Sequence, residues 1–404
     1  MKTRGTARRV LRRGMMGLGA ALVLGTLFLV VDGYTAFGKR ATGERRARME
    51  RSPQWKDGRF VNPQPLVNHY GEMFGGLLDA SPHASPQAPL AVEPIDPKRF
   101  QTPPASGLRV TWMGHSSQLV ELDGLRILTD PVWSERVSPF TWAGPKRWFQ
   151  PPIAMKDLPP IDAVVVSHDH YDHLDQPTMV ALKEQTKAVF IVPLGVGAHL
   201  EYWGVPVDRI VELDWWERTK VGAVDIVATP ARHASGRYLF DNDAKLWASY
   251  AFVGPTRRAW FSGDTGLFPA MKDIGEKLGP FDVTMIETGQ YHRAWPDWHI
   301  GPEQAVLAHQ MLRGQVMLPI HWALFGLAYH GWTEPAERVR AAATSASVTL
   351  LLPRPGQSVE PGADPVREQW WPTLTWETAA QHPVLSTGMD GPVTVTSPGG
   401  PAAR

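Results

Sequence analysis

At 404 residues, with 43% hydrophobic and 20% charged positions, the chain has the make-up of a globular protein of one large or two ordinary domains. Its 41 basic and 40 acidic residues leave a formal net charge of +1, so nothing argues for a nucleic-acid partner. The absence of cysteine excludes disulfides, thiolate metal sites and thiol catalysis, and any metal must be held by His, Asp and Glu.

The first element in chain order is apolar. Lys2, Arg4, Arg8, Arg9, Arg12 and Arg13 precede an uncharged run over 14–31, GMMGLGAALVLGTLFLVV. At about 1.5 Å per helical residue, such a run reaches about the thickness of a bilayer core. Thr35-Ala36-Phe37 makes a poor cleavage site, so residues 1–35 are expected to form a basic leader and an uncleaved transmembrane helix. A second basic group, from Lys39 to Arg51, nearly balances the first and leaves the positive-inside comparison almost even. Arg8-Arg9-Val10-Leu11 loosely resembles a twin-arginine export signal and tilts the reading slightly towards a periplasmic or extracytoplasmic side.

Residues 36–106 read as a connecting region. Positions 32–60 are basic and polar, with room for a short helix. Pro82, Pro86, Pro89, Pro94, Pro97, Pro103 and Pro104 then suit an extended arm without repeating secondary structure. The Gly-, Pro-, Ser- and Thr-rich stretch 382–404 is expected to be a disordered tail.

Residues 107–381 carry an α/β pattern. Strands are predicted at 108–112, 118–122, 126–129, 163–167, 188–192, 210–213, 223–229, 247–253, 259–261, 283–287, 316–319 and 348–352, each rich in aliphatic or aromatic residues. Helices are predicted at 177–184, 197–203, 269–278, 302–312 and 335–343, four of them with Pro near the start, where a missing N–H costs nothing. Early hairpins followed by strand–helix alternation predict two sheets packed face to face with helices outside. The 17 Trp are expected mainly in core and loop packing, with interfacial anchoring near lipid headgroups as the other reading.

The sharpest chemical signal is Ser167-His168-Asp169-His170-Tyr171-Asp172-His173-Leu174-Asp175, directly after the apolar run Ala163-Val164-Val165-Val166. His168 and His170 are two apart, so in an extended segment both rings face one side. Asp172 and His173 follow as the chain turns towards a helix, with Asp175 placed to act as its N-cap. Neutral imidazoles and carboxylates are the ligands that zinc prefers. Four such groups within six residues crowd a single tetrahedral ion but suit a shared pair. A solvated polar loop is a poor account of so many His and Asp after a buried strand.

A His-x-His-x-Asp-His motif in this place resembles the metallo-β-lactamase superfamily, whose αββα sandwich is the fold the resemblance implies. That family places three more ligands at later strand ends, and this chain has His233 after Ile226-Val227-Ala228-Thr229-Pro230, Asp264 after Trp260-Phe261-Ser262-Gly263, and His321 after Met317-Leu318-Pro319-Ile320. The resemblance implies two zinc ions per chain. His168, His170 and His233 would hold one, Asp172, His173 and His321 the other, and Asp264 would bridge them. Asp172 and Asp264 would act in catalysis through a water that the metals activate, and Asp130 in Leu128-Thr129-Asp130-Pro131 would brace the ligand loop. A site made only of His and Asp also tolerates iron or manganese.

Further stretches narrow the likeness: Val110-Thr111-Trp112-Met113-Gly114-His115, Gly144-Pro145-Lys146-Arg147, Ser262-Gly263-Asp264-Thr265-Gly266 and Ile320-His321-Trp322. Together they are similar to the N-acyl-phosphatidylethanolamine phospholipase D branch. In that branch a Tyr inside the His motif and a later His contact the phospholipid; the matching positions are Tyr171 and His299. Two segments depart from the pattern, His115-Ser116-Ser117 and Trp295-Pro296-Asp297-Trp298, and both are expected at the pocket mouth. The resemblance implies a phosphodiesterase of phospholipase D type acting on a phospholipid, and the apolar N-terminal helix, which the resemblance does not cover, is expected to tether it to a membrane. A lactonase or other ester hydrolase on a soluble substrate is the alternative, and a non-catalytic membrane-bound binding module is the reading from a different class.

Overall fold

The computed structural model describes residues 3–78, 80–362 and 369–390. The chain opens with α1 (Thr3–Gly33), α2 (Gly43–Glu50), the hairpin strands β1 (Trp55–Lys56) and β2 (Arg59–Phe60), and α3 (Tyr70–Leu78). The domain that follows contains β3 (Leu108–Trp112), β4 (Gln118–Leu122), β5 (Leu125–Thr129), β6 (Ala163–Val165), α4 (Gln176–Gln185), β7 (Val189–Pro193), α5 (Gly197–Tyr202) and β8 (Ile210–Leu213). Its second half contains β9 (Arg218–Val221), β10 (Val224–Thr229), β11 (Ser249–Val253), β12 (Arg258–Phe261), α6 (Ala270–Leu278), β13 (Phe281–Glu287), α7 (Pro302–Met311), β14 (Gly314–Ile320), α8 (Glu334–Ser345), β15 (Thr349–Leu350) and β16 (Ser358–Val359).

The strands form two seven-stranded sheets, ordered β16-β3-β4-β5-β6-β7-β8 and β15-β14-β13-β12-β11-β10-β9. Each combines antiparallel hairpins with a parallel run, β5 to β8 in the first sheet and β12 to β15 in the second. Side-chain alternation explains why the apolar runs are continuous. Val165 and Ile191 face the second sheet and join Ile226, Trp260, Val283 and Met317 in the central core, whereas Val164, Val166 and Phe190 face outwards beneath Met179 and Leu182 of α4. A strand buried on both faces needs no polar alternation. The αββα sandwich is therefore as expected.

The connecting region is built into the domain. Met49 of α2 is buried, and Arg45 and Arg48 pair with Glu212 and Glu217 at 2.6 Å. In the Pro-rich stretch, Asp96 caps a 3-10 turn at Pro97–Gln101, and Ile95 and Phe100 enter the outer core with Leu128 and Phe190. Within α1, the span Arg12–Gly33 holds an 18-residue window with a mean hydropathy of 2.2 and no buried residue, so one helix is long and apolar enough to cross a membrane. The stretch expected to be a disordered tail divides: Thr387 is held by Asp297 and Arg232, and residues 391–404 lie outside the described residues.

Candidate metal centre

The strand ends deliver the site. His168 to His173 follow β6, His233 follows β10, Asp264 follows β12 and His321 follows β14, so four loops from both sheets meet in one crevice. His168, His170 and His233 form one group of ligand atoms within 4.8 Å of one another. His168 Nε2 lies 2.9 Å and His233 Nε2 3.3 Å from His170 Nδ1. Asp172, His173 and His321 form a second group, joined by His115. Asp264 stands between the two. Its Oδ2 is 3.8 Å from both His168 Nε2 and His233 Nε2 and 3.1 Å from His173 Nε2, and its Oδ1 is 3.0 Å from His321 Nδ1. All seven residues expected as ligands thus come together.

The surrounding hydrogen bonds set the ring orientations. Asp130 accepts from the Ser167 N–H at 2.7 Å and from the Ser167 hydroxyl at 2.6 Å, and its Oδ2 lies 2.6 Å from His173 Nδ1. Because the Ser167 hydroxyl proton is committed to Asp130, Ser167 Oγ accepts from His168 Nδ1 at 2.9 Å. His233 Nδ1 faces the carbonyl oxygen of Trp298 at 2.9 Å, which only accepts. In His168 and His233 the proton therefore sits on Nδ1 and leaves the Nε2 lone pair free, and in His173, whose Nδ1 is tied to Asp130, Nε2 is again the ring atom left for a ligand.

The electrostatics suit a cation. Burial, aided by neighbouring imidazoles, holds His168, His233 and His321 well below the usual imidazole range, so these rings stay neutral. Burial also pushes the Asp264 carboxyl up to about 7, with Glu287 adding to the effect and His173 opposing it. For His173 burial disfavours charge, but Asp264, Asp172 and Asp130 outweigh it and raise the imidazole well above its ordinary value. His173 Nε2, His321 Nε2 and Asp264 Oδ1 are buried with no hydrogen-bond partner. Orphaned buried donors and acceptors are rare, and three on residues of one His and Asp cluster fit a bound metal.

Other expected roles resolve less simply. The Tyr171 hydroxyl donates to the Arg237 carbonyl at 2.7 Å, and the Arg237 guanidinium lies 4.0 Å above its ring. His299 does not cap α7, whose N-cap is Gly301; its Nδ1 lies 2.8 Å from Glu287 Oε2 and 3.8 Å from Asp264 Oδ2. Asp175 occupies the N-cap position of α4 but makes no cap hydrogen bond. Its carboxylate instead holds the 133–134 turn through the Ser134 N–H at 3.0 Å and the Ser134 hydroxyl at 2.7 Å.

The departing segments make buried polar contacts of their own, while Trp295 and Trp298 stay half-buried. Asp297 is fully buried against Arg232 at 2.8 Å, and Ser117 donates to the Asp130 carbonyl at 2.7 Å. Ser116 Oγ lies 3.1 Å from His321 Nδ1. Three contributors escaped the sequence reading: Glu287, which holds His299 and accepts from the Thr265 N–H, Ser167, and Arg237. Of these only Glu287 had a signal, as the charge closing an apolar strand.

Residues 125–322 match a family model described as the beta-lactamase superfamily domain. An uncharacterized protein of Mycobacterium tuberculosis is 46% identical over 359 residues, covering 87% of this chain and 96% of that protein. The N-acyl-phosphatidylethanolamine-hydrolyzing phospholipase D 1 of Caenorhabditis elegans is 38% identical over 247 residues, covering 58% of this chain and 69% of that protein. A solved metallo hydrolase of Ignicoccus hospitalis is 23% identical with a TM-score of 0.49, covering 62% of this chain and 97% of its own.

Proposed function

The chain belongs to the metallo-β-lactamase superfamily as a metal-dependent hydrolase, and on that premise we propose a dinuclear zinc phosphodiesterase of phospholipase D type. Its substrate is N-acyl phosphatidylethanolamine or a related phospholipid, and α1 is an uncleaved anchor that keeps the domain beside a bilayer. The observation that carries the reading is the convergence of six buried or half-buried donors around Asp264, in a chain 38% identical over 247 residues to a phospholipase D named for that lipid.

In this reading His168, His170 and His233 hold one cation, Asp172, His173 and His321 hold the other, and Asp264 serves both. A bound pair of divalent cations supplies an acidified water and offsets charge on the phosphoryl oxygens. The chain supplies the rest. Asp130 fixes His173 directly and His168 through Ser167, so both rings present Nε2 without needing to reorient. Trp298 does the same for His233 through its backbone carbonyl. His299, held by Glu287 and 3.8 Å from Asp264, is placed to hydrogen-bond a phosphoryl oxygen, and Tyr171 borders the same space beside Asp172. No serine or cysteine nucleophile is needed, because water is the attacking group.

Metal analysis of the purified chain should give two zinc per chain, with His170→Ala or Asp264→Ala losing metal and hydrolysis together. Offering N-acyl phosphatidylethanolamine, a lactone and a soluble phosphodiester to the same preparation tests the substrate. Full turnover by a folded, metal-free Asp264→Ala protein would refute the metal chemistry. Preference for the lactone would refute the phospholipase assignment alone.

A further inference from the structure

The end of α1 is sewn to the domain with no slack. The Asp32 carboxylate accepts from the Thr141 N–H and hydroxyl, both at 3.0 Å. Trp203 Nε1 donates to the Thr35 carbonyl and Arg237 Nε to the Ala36 carbonyl, each at 2.7 Å, and the Lys39 N–H donates to His199 Nδ1 at 2.9 Å. A helix that crosses a bilayer and is bonded this closely cannot let the domain swing away. The face around its exit must lie against the membrane surface.

That face is aromatic and apolar. Phe37 contacts Phe140 at 6.4 Å and Tyr238 at 6.1 Å between ring centroids, and Phe140 contacts Trp142 at 6.0 Å. The outer members are open to solvent: Trp142 is 54% exposed, Tyr34 60%, Leu239 86% and Phe240 79%. Leaving Leu and Phe in water forgoes the stabilisation that burying their apolar surface would bring. Single exposed apolar residues are ordinary, but a contiguous set beside a membrane-crossing helix marks an interaction surface. Trp and Tyr at the end of such a helix are the residues that settle among lipid headgroups.

We propose that the 236–243 loop, with Trp142 and Tyr34, forms a membrane-docking surface that inserts Leu239 and Phe240 into the bilayer interface around the exit of α1. The occupant is lipid, argued from continuity with α1. The surface also adjoins the metal centre: Arg237, next to the loop tip, holds Tyr171, and the Gly236 N–H donates to Asp169 at 2.8 Å, within the His motif. Docking therefore sets the crevice edge at headgroup depth. The inference rests on the part of the functional reading in which α1 spans a membrane, and not on which lipid is cleaved.

The cysteine-free chain allows single labels without a prior background substitution. Full-length Leu239→Cys, Phe240→Cys and Trp142→Cys, each carrying an environment-sensitive fluorophore, are reconstituted in vesicles of phosphatidylethanolamine and phosphatidylglycerol. Ser345→Cys serves as the control. Ser345 ends α8, and Thr349 of the next strand pairs with Val316 near the start of β14, so it lies at the opposite end of the sheet from the centre. Docking predicts blue-shifted emission at 239, 240 and 142, quenched by lipids bearing a nitroxide high on the acyl chain, with no change at 345. Co-flotation of the chain with the vesicles reads insertion of α1 separately. Inserted protein whose 239 and 240 labels match the control overturns docking and leaves the anchor standing. Disulfide cross-linking of two unlabelled Phe240→Cys chains, in place of lipid quenching, does the same. Failure to float overturns both.

Discussion

His115 joins the two sheets at the level of one residue. Its φ of 51° is in the left-handed region, which His and Asn enter far more readily than most side chains. In that conformation its carbonyl accepts from Trp112 Nε1 at 2.9 Å and from the His321 N–H at 3.0 Å, while its own N–H donates to the Trp322 carbonyl. The ring is buried with Nε2 at 2.9 Å from Asp172 Oδ2 and its centroid 4.0 Å from that of His321. The backbone thus ties the end of β3 to the end of β14, while the ring steadies a carboxylate of the centre. His115→Asn separates the two roles, because Asn tolerates the backbone and is too short to reach Asp172. The expected result is an unchanged fold by circular dichroism, with zinc affinity or hydrolysis lower by about 10–100-fold. Wild-type turnover in the variant would show that Asp172 needs no such support. The contrast with the seven ligands is instructive. Each of those sits in a dense motif or just beyond an apolar strand, and such positions are visible in sequence. Ser167 abuts the His motif and Glu287 closes an apolar strand, but their roles, like that of Ser116, depend on Asp130, His299 and His321, partners that the fold and not the local chain brings.

Among the elements, α7 shows how a buried titratable group limits the acid range of the fold. His309 projects from α7 into the contact with β13, with Nδ1 at 2.7 Å from Thr284 Oγ1. Burial pulls its imidazole down to about 4. A histidine whose pKa falls on folding contributes stability that is complete above its unfolded value near 6.5 and is lost as pH drops towards 4. The loss across that window is about 3 kcal/mol at most. Thermal melts of the wild type should fall more steeply from pH 6.5 to 4 than those of His309→Gln, which cannot titrate. Parallel pH curves for the two proteins would contradict the assignment. Most elements were legible because a strand buried on both faces or a helix opened by Pro writes its own signal. The exceptions have physical causes. β9, Arg-Thr-Lys-Val, is an edge strand with alternating exposed polar residues, and β16 is two residues at a sheet edge, paired with β3 and anchored by buried Val359. The helix α2 falls where a short helix was expected, but with five charged residues in eight and a single buried side chain, Met49, it has no hydrophobic period to set its bounds.

For the whole molecule, the centre cross-links the two sheets by chemistry other than the apolar core at one end, as Asp123 does at the other by accepting from the Thr256 and Arg257 N–H groups. Its donors come from four loops separated by as much as the distance from His168 to His321, and the folded chain brings them within one crevice. An unfolded chain keeps only the His168–His173 stretch as a local ligand set. A divalent cation held by these donors would therefore bind the folded state far more tightly than the unfolded one, and that difference would appear as stability. At free zinc about 100-fold above the dissociation constant, each site adds about 2.7 kcal/mol. Chelated full-length protein should accordingly melt lower than the zinc-loaded form, with the gap widening as free zinc rises. His170→Ala, which removes a donor from one group only, should keep part of that gap, whereas Asp264→Ala, lying between both groups, should abolish most of it. A folded wild-type protein whose melting temperature ignores zinc would mean that the donors meet without holding an ion. Equal losses in the two variants would place Asp264 in one site and not between two.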